Sequence, residues 1–157
     1  SEPVAATCLY FTTTESLYRG RRLLLNANPD AFVSHATQIS NVSPAYAPKG
    51  QHLLSVSVLG SPDLGDTELI ARCREEMAPW FPRRDLAQLR HLATYRIRFA
   101  QFRQPPGVYP TLPSSGGAIG GLFLAGEYTH NSSIQGAMLS GEQAANELLK
   151  WLPTAND

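Results

Sequence analysis

A chain of 157 residues, 43% of them hydrophobic, is long enough to bury a real core and too apolar for a disordered segment. Lys plus Arg match Asp plus Glu at 13 each, so no net field draws the chain to nucleic acid or an anionic surface, and no nucleic-acid partner is expected. The longest apolar runs, such as Leu53–Leu59, are broken by serines and fall far short of the roughly 20 residues of a membrane helix; no membrane span is expected, and with no signal-peptide core at the start the setting is expected to be cytoplasmic.

Val4–Thr12, rich in Val, Thr, Leu, Tyr and Phe, is predicted as a strand, with Arg22–Asn26 as its hairpin partner and Gly20 in the turn between them. Asn28-Pro29-Asp30 signals a turn, Ala36–Val42 a third strand, and Pro44 and Pro48 bracket a loop. Gln51–Leu59 is predicted as a further strand with Leu54, Val56 and Val58 on one face and Leu53, Ser55, Ser57 and Leu59 on the other. After the turn residues Ser61–Asp66, Asp66 is placed as the N-cap of a helix. In that helix Leu69, Ile70, Cys73 and Met77 form an apolar stripe, with Arg72, Arg74, Glu75 and Glu76 mainly off it, so it is expected to lie against the sheet until Pro79 and Pro82 end it. His91–Phe102 returns to strand alternation, Leu92, Thr94, Arg96, Arg98 and Ala100 against Ala93, Tyr95, Ile97, Phe99 and Gln101. Arg96 and Arg98 on one face can meet solvent or an acidic substrate.

Cys8 and Cys73 are read as buried free thiols rather than a disulfide. The four histidines are scattered and no cysteine–histidine spacing suits zinc, so no metal is expected. Neither a Gly-x-Ser-x-Gly elbow nor a paired carboxylate supports hydrolase chemistry, and no catalytic residue is singled out.

Gln104–Gly117, with Pro105, Pro106, Pro110 and Pro113, is a connector in extended form. Leu122–Ala125 is a continuous apolar run, read as a strand covered on both faces. Gly126 stops it, which lets the backbone turn sharply or approach a ligand, and Glu127 follows. A helix from about Ile134 to Trp151, with Pro153 as its stop signal, is expected to use Ile134, Ala137, Met138, Gly141, Ala144, Ala145, Leu148 and Leu149 as one face, while Gly136, Ala137, Ser140 and Gly141 slim its first turns. Its unpaired N–H groups and positive dipole end near Ser133 would point back toward the strand end, where an electron-rich group can be held. Gly116–Gly121 has its glycines at the wrong intervals for a Gly-x-Gly-x-x-Gly dinucleotide turn and leads into a strand rather than out of one.

The run Leu122-Phe-Leu-Ala-Gly-Glu-Tyr-Thr129, a short spacer, then Ser133-Ile-Gln-Gly-Ala-Met-Leu-Ser-Gly-Glu-Gln-Ala-Ala145 resembles the C-terminal flavin motif of the FAD-dependent amine oxidase superfamily. That superfamily includes the monoamine and polyamine oxidases, protoporphyrinogen oxidase and the carotenoid desaturases. Asn41–Gly50 followed by His52–Val58 resembles its substrate-domain hairpin, so the likeness is loose before residue 105 and close after it.

The resemblance implies an α+β fold: residues 1–104 as a partial substrate-binding domain, a mixed or antiparallel sheet with a packing helix, and residues 105–157 as the last strand and helix of a Rossmann-like FAD-binding domain. The rest of that domain, with its Gly-x-Gly-x-x-Gly turn, would lie in an N-terminal Rossmann portion of the same protein. It implies FAD as cofactor, with the backbone at Ser133, Ile134 and Gln135 on the pyrimidine edge of the flavin, small residues such as Gly136 and Ala137 admitting the ring, and Gly126 and Glu127 along the ribityl and pyrophosphate, Glu127 through its main-chain N–H. Gly126 and Gly136 can also be read as strand-ending and packing glycines. Tyr109 is placed near the isoalloxazine edge. Ser133 stands where amine-oxidising members often carry an aromatic cage residue, which tilts the reading toward a desaturase-like member. The family lysine that reaches flavin N5 through water is expected upstream, Lys49 and Lys150 being read as solvated. The implied activity is hydride transfer to FAD from an amine or a C–H bond of an apolar or amine small molecule, by a parent protein of which this chain alone is expected to be colourless and inactive. The alternative is a non-catalytic α+β binding or assembly module that keeps the motif as scaffold.

Overall fold

The structure, a computed structural model, describes residues 2–116 and 120–152; the middle of Gly116–Gly121 and the stop at Pro153 lie outside the described residues. Two compact units divide the chain, Val4–Ala100 on the one hand and Ser1–Pro3 with Gln101–Asp157 on the other.

Five strands, β1 (Pro3–Thr13), β2 (Leu24–Leu25), β3 (Val33–Gln38), β4 (His52–Leu59) and β5 (Arg90–Phe102), form one sheet in the order β2-β3-β4-β1-β5. β1 and β4 are antiparallel from Ala6 opposite Leu59 to Thr13 opposite His52, and β3 is antiparallel to both β4 and β2. Phe11 meets His91 and Tyr10 meets Tyr95, so β5 also runs antiparallel to β1. The alternation predicted for β4 is the one observed, with Leu54, Val56 and Val58 buried. They share a face with Leu9, Phe11, Val33 and Ala36, and the helix α2 (Asp66–Met77) lays Leu69, Cys73 and Met77 against the same core; α1 (Ile39–Val42) is a single turn. Each large apolar side chain buried there contributes about 1.5–3 kcal/mol.

Several expectations are corrected. Arg22–Asn26 is not the hairpin partner of β1: only Leu24 and Leu25 are extended, and they pair with β3. The place beside β1 goes to β4, whose eight-residue register sets Leu54 and Val56 opposite Phe11 and Leu9, a buried match that β2 is too short to offer. The third strand ends at Gln38 and not at Val42. Gln38 turns its side chain inward to accept the Leu17 N–H at 2.9 Å and to donate to Ser16 Oγ at 2.9 Å, and the chain folds into α1 around it. Gly65, not Asp66, is the N-cap of α2; Asp66 instead pairs with Arg96 at 2.7 Å. Arg96 also donates to the Leu64 carbonyl at 3.0 Å, so its role is to hold the start of α2.

The alternation of β5 slips once. His91 meets core-facing Phe11, whereas Tyr95 meets Tyr10 on the opposite side of β1, although a regular strand puts residues four apart on one face. Cys73 is buried and Cys8 only half-buried, on the open sheet face near Ser55; both are free thiols.

In the other unit Leu122–Ala125 is not a strand. Leu122 makes a lone bridge and the Leu124 N–H donates to the Ser115 carbonyl at 2.9 Å. A central strand needs neighbours for its N–H and C=O groups, and this run has only the lone bridge and the Ser115 contact among the described residues. The last helix, α3 (Ile134–Trp151), matches its predicted bounds but not its predicted face. Gly136, Ser140 and Ala144 are buried, whereas Ile134 is 84% and Met138 and Leu149 each 68% exposed. The small residues let the helix approach the 3-10 turn Glu127–Thr129, and nothing among the described residues of the unit covers the larger apolar side chains. Among the described residues no helix is long and apolar enough to cross a membrane.

Candidate functional site

Gly126 closes the apolar run with φ 161° and ψ 164°, extended backbone open to any residue. Its reason for being glycine is space: an added Cβ would lie 2.3 Å from the Tyr128 ring. That ring is exposed and can swing aside. The turn Glu127–Thr129 that follows is held by a knot of three hydroxyls. The Gly126 N–H donates to Ser140 Oγ at 2.9 Å, Thr129 Oγ1 donates to the Gly126 carbonyl at 3.1 Å, and Ser115 Oγ donates to Thr129 Oγ1 at 3.2 Å. Ser140 and Thr129 oxygens lie 2.5 Å apart. Each hydroxyl has one hydrogen. With that of Thr129 on the carbonyl, Ser140 must donate to Thr129 while accepting from Gly126. Side chains thus satisfy both polar groups of Gly126, which in a sheet would fall to neighbouring strands.

The same serine ties this turn to the start of α3. Ser133 is the N-cap, its Oγ accepting the Gly136 N–H at 2.9 Å, and the ladder begins with the Ala137 N–H on the Ser133 carbonyl at 3.0 Å. The N–H groups of Ile134 and Gln135 have no partner among the described residues, and both residues are exposed. They form an open pair of donors at the positive end of an 18-residue helix. Gly136 is the demanding glycine, since an added Cβ would lie 2.1 Å from the Asn131 main-chain oxygen. Its first use is packing the helix start onto the His130–Ser132 loop. Glu127 folds its carboxylate back to accept from Ser132 Oγ at 2.9 Å, leaving its own N–H without a partner among the described residues.

All the residues singled out from sequence, Gly126, Glu127, Ser133, Ile134, Gln135, Gly136 and Ala137, therefore lie in one unit around one turn and one helix start. Tyr109 lies in a separate 3-10 turn, Tyr109–Thr111, and Lys150 pairs with Glu147 at 2.7 Å. Sequence reasoning named Ser140 only for its small size and missed Thr129 and Ser115, the other side chains that hold the turn. The signal was there in Ser140, which stands four residues after Gly136 and four before Ala144 on the small-residue line of the helix.

The donor set fits the electron-rich edge of a flavin. Two unpaired N–H groups at a helix start favour negative charge by about 0.3–2 kcal/mol, and the cap residue Ser133 is small. In the other unit the open face of the sheet carries a shallow depression of 380 Å³ lined by Tyr10, Leu53, Leu92, Ala93 and Tyr95. Tyr10 and Tyr95 meet edge to face at 5.9 Å, and the neighbouring Cys8 thiol, with some burial, raises the Tyr10 phenol above its ordinary range.

Residues 6–149 match the family described as flavin containing amine oxidoreductase. The zeta-carotene desaturase of Solanum lycopersicum is 30% identical over 151 residues, covering 87% of this chain and 26% of that protein. The zeta-carotene desaturase of Synechocystis is 32% identical over 128 residues, covering 76% of this chain and 26% of that protein. The chain thus spans about a quarter of the length of these curated relatives. Among solved structures, an oxidoreductase from Methanosarcina mazei matches with a TM-score of 0.67 at 16% identity, covering 92% of this chain and 34% of that one. A protein of Pyrococcus furiosus matches with a TM-score of 0.60 at 12% identity, covering 99% of this chain and 34% of that one. At such identities the likeness is one of fold.

Proposed function

This chain belongs to the flavin containing amine oxidoreductase family, and from that premise we propose that it is the C-terminal part of an FAD-dependent oxidoreductase that oxidises an apolar substrate at a C–H bond. In this reading residues 105–157 complete the flavin-binding domain, an N-terminal Rossmann portion of the same protein holds the ADP half of FAD, and residues 1–104 supply part of the substrate domain. The observation that supports it most directly is the open donor pair of Ile134 and Gln135 at the capped start of α3.

Bound there, FAD would supply hydride acceptance, with negative charge gathering on its pyrimidine edge. Ile134 and Gln135 donate N–H bonds to that edge, Ser133 holds the helix start in register, and the Glu127 N–H serves the ribityl and pyrophosphate side. Gly126 sets the direction of the chain into the turn, and Ser140 with Thr129 keeps it there. Ser133 in place of an aromatic residue leaves no cage wall for an amine, and the relatives named zeta-carotene desaturase favour an extended apolar substrate. The open sheet face around Tyr10, Leu53 and Tyr95 offers apolar surface suited to it.

The test uses the full-length protein encoded with this segment. Heat-released cofactor should co-elute with FAD, and anaerobic addition of detergent-dispersed zeta-carotene should bleach the yellow band while benzylamine leaves it unchanged. Bleaching by the amine alone would reverse the substrate assignment. A colourless full-length protein would favour the non-catalytic module.

A further inference from the structure

One concavity of the Val4–Ala100 unit is lined by none of the residues named above for flavin or substrate. Leu17 and Phe81, both buried, make its floor, Tyr18 and Trp80 its walls, and Arg22 and Arg83 its rim; it encloses 440 Å³. A second, polar chamber of 300 Å³ shares Leu17, Arg83 and Arg84 with it and adds Thr13, Thr14, Glu15, Asp85 and Gln88. Such volumes fall at the lower end of the roughly 300–1,000 Å³ typical of small-molecule sites.

The walls are built rather than incidental. Tyr18 stacks on Phe81 with ring centroids 6.2 Å apart and planes 12° from parallel. Its hydroxyl is held twice, donating to the Arg22 carbonyl at 2.7 Å and accepting the Gln38 N–H at 2.8 Å. Fully buried Gln38 holds the Leu17 N–H at 2.9 Å, so floor and wall are tied to one core side chain. Of the three arginines at the first chamber, Arg84 is engaged, with Glu15 at 2.6 Å. The side chains of Arg22 and Arg83 have no hydrogen-bond or ion-pair partner among the described residues. Of the acids nearby, Glu15 is paired with Arg84, and Asp85 accepts the Ala87 N–H at 2.9 Å.

Two uncommitted guanidinium groups lining the same concavity as a stacked aromatic pair are complementary to an anion with a flat or aliphatic body, the head to Arg22 and Arg83 and the body to Tyr18, Phe81 and Trp80. The geometry points to a binding site for a small amphipathic anion, a phosphate monoester or carboxylate with one apolar face, made by residues other than those of the flavin motif and the open sheet face. An extended acidic peptide is a poorer fit, because the adjoining edge strand β2 has only two residues to offer as a ladder.

The experiment uses the 157-residue chain in a W151F background, which leaves Trp80 as its sole tryptophan and so as the reporter. Titration with 1-naphthyl phosphate should quench Trp80 emission saturably. R22A and R83A should each weaken binding by about tenfold, as expected for loss of a charge-assisted contact, while R98A, on β5, leaves it unchanged. Inorganic phosphate should compete weakly and 1-naphthol should bind far less tightly than its phosphate. Equal affinity for naphthol and its phosphate, or indifference to R22A and R83A together, would overturn the proposal. So would Trp80 response only to vesicles of phosphatidylcholine with phosphatidylglycerol, which would identify a lipid surface instead. Unchanged far-ultraviolet circular dichroism in R22A and R83A, both exposed side chains, separates loss of binding from loss of fold.

Discussion

Replacing Ser140 with Ala measures what holds the Gly126 turn. The change removes one fully buried oxygen, so the void is small and the cost is polar. The Gly126 N–H loses its acceptor at 2.9 Å and Thr129 loses a donor, while Thr129 keeps its bond to the Gly126 carbonyl at 3.1 Å and the donation from Ser115 at 3.2 Å. Only one group is therefore stripped of all partners, the half-buried Gly126 N–H, and that costs about 1–3 kcal/mol. Carried into local opening, this is amide exchange at Gly126 faster by about 5- to 150-fold. Hydrogen exchange followed by nitrogen-15 NMR reads it, with amides of β1 and β4 in the other unit as internal reference. Those should keep their wild-type rates, because none of their bonds involves the knot. Combining Ser140→Ala with Thr129→Val should cost less than the sum of the two, with a coupling of about 0.5–3 kcal/mol for hydroxyls in contact. Unchanged protection at Gly126, or equal acceleration in both units, would refute the assignment of Ser140 as the local tie.

The two motif glycines should separate under substitution. Gly136→Ala drives a Cβ into main-chain oxygen and Gly126→Ala only into a mobile exposed ring, so thermal melts should fall clearly for the first and little for the second, and equal losses would count against the packing role of Gly136. Burial among apolar neighbours, with the Glu76 charge adding and Arg72 opposing, pushes the Cys73 thiol from 9.0 up to about 12. Since the raised value belongs to the folded state, the stability linked to this thiol is complete below 9.0 and is lost as pH rises through about 12. At pH 8 iodoacetamide should leave Cys73 unmodified until urea unfolds the chain, which peptide mass spectrometry decides. Glu76→Ala strips the carboxylate that accepts from Asn26 Nδ2 at 2.9 Å and from the Phe32 and Val33 N–H groups at 3.0 and 3.2 Å, and should lower the urea unfolding free energy by about 1.5–3 kcal/mol; an unchanged midpoint would refute that clamp.

The apolar alternation of β1, β4 and the buried stripe of α2 were legible because each is a local pattern with a single consistent face. What the pattern does not carry is which strand pairs with which. Arg22–Asn26 follows β1 closely in sequence, yet β4, some forty residues later, takes its place, because the choice depends on matched burial across the whole register. Gln38 and Glu76 were invisible for a related reason. A polar residue within a weakly alternating run and an acid off the apolar stripe of a helix carry no local signal, and only their partners, 21 and 44 residues away in the chain, make them anchors.

The site shows the same limit in sharper form. Spacing found the turn and the helix start, since a capping serine followed by a small-residue run is a local signal. It misjudged which side of α3 turns inward, because hydrophobic periodicity weights Ile134, Met138 and Leu149 along with the buried Ala144 and leaves Gly136 and Ser140 off the face. Close approach selects for size before hydrophobicity. A helix that must bring its first N–H groups to a fixed point has to pack its first turns backbone to backbone, and there a serine four residues past a glycine is both small enough to fit and polar enough to tie the opposing turn. The small-residue line is therefore the structural face of α3, and the donors at its N-terminus owe their position to it; the comparison of Gly136→Ala with Gly126→Ala separates that account from one in which the glycines merely make room for a ligand.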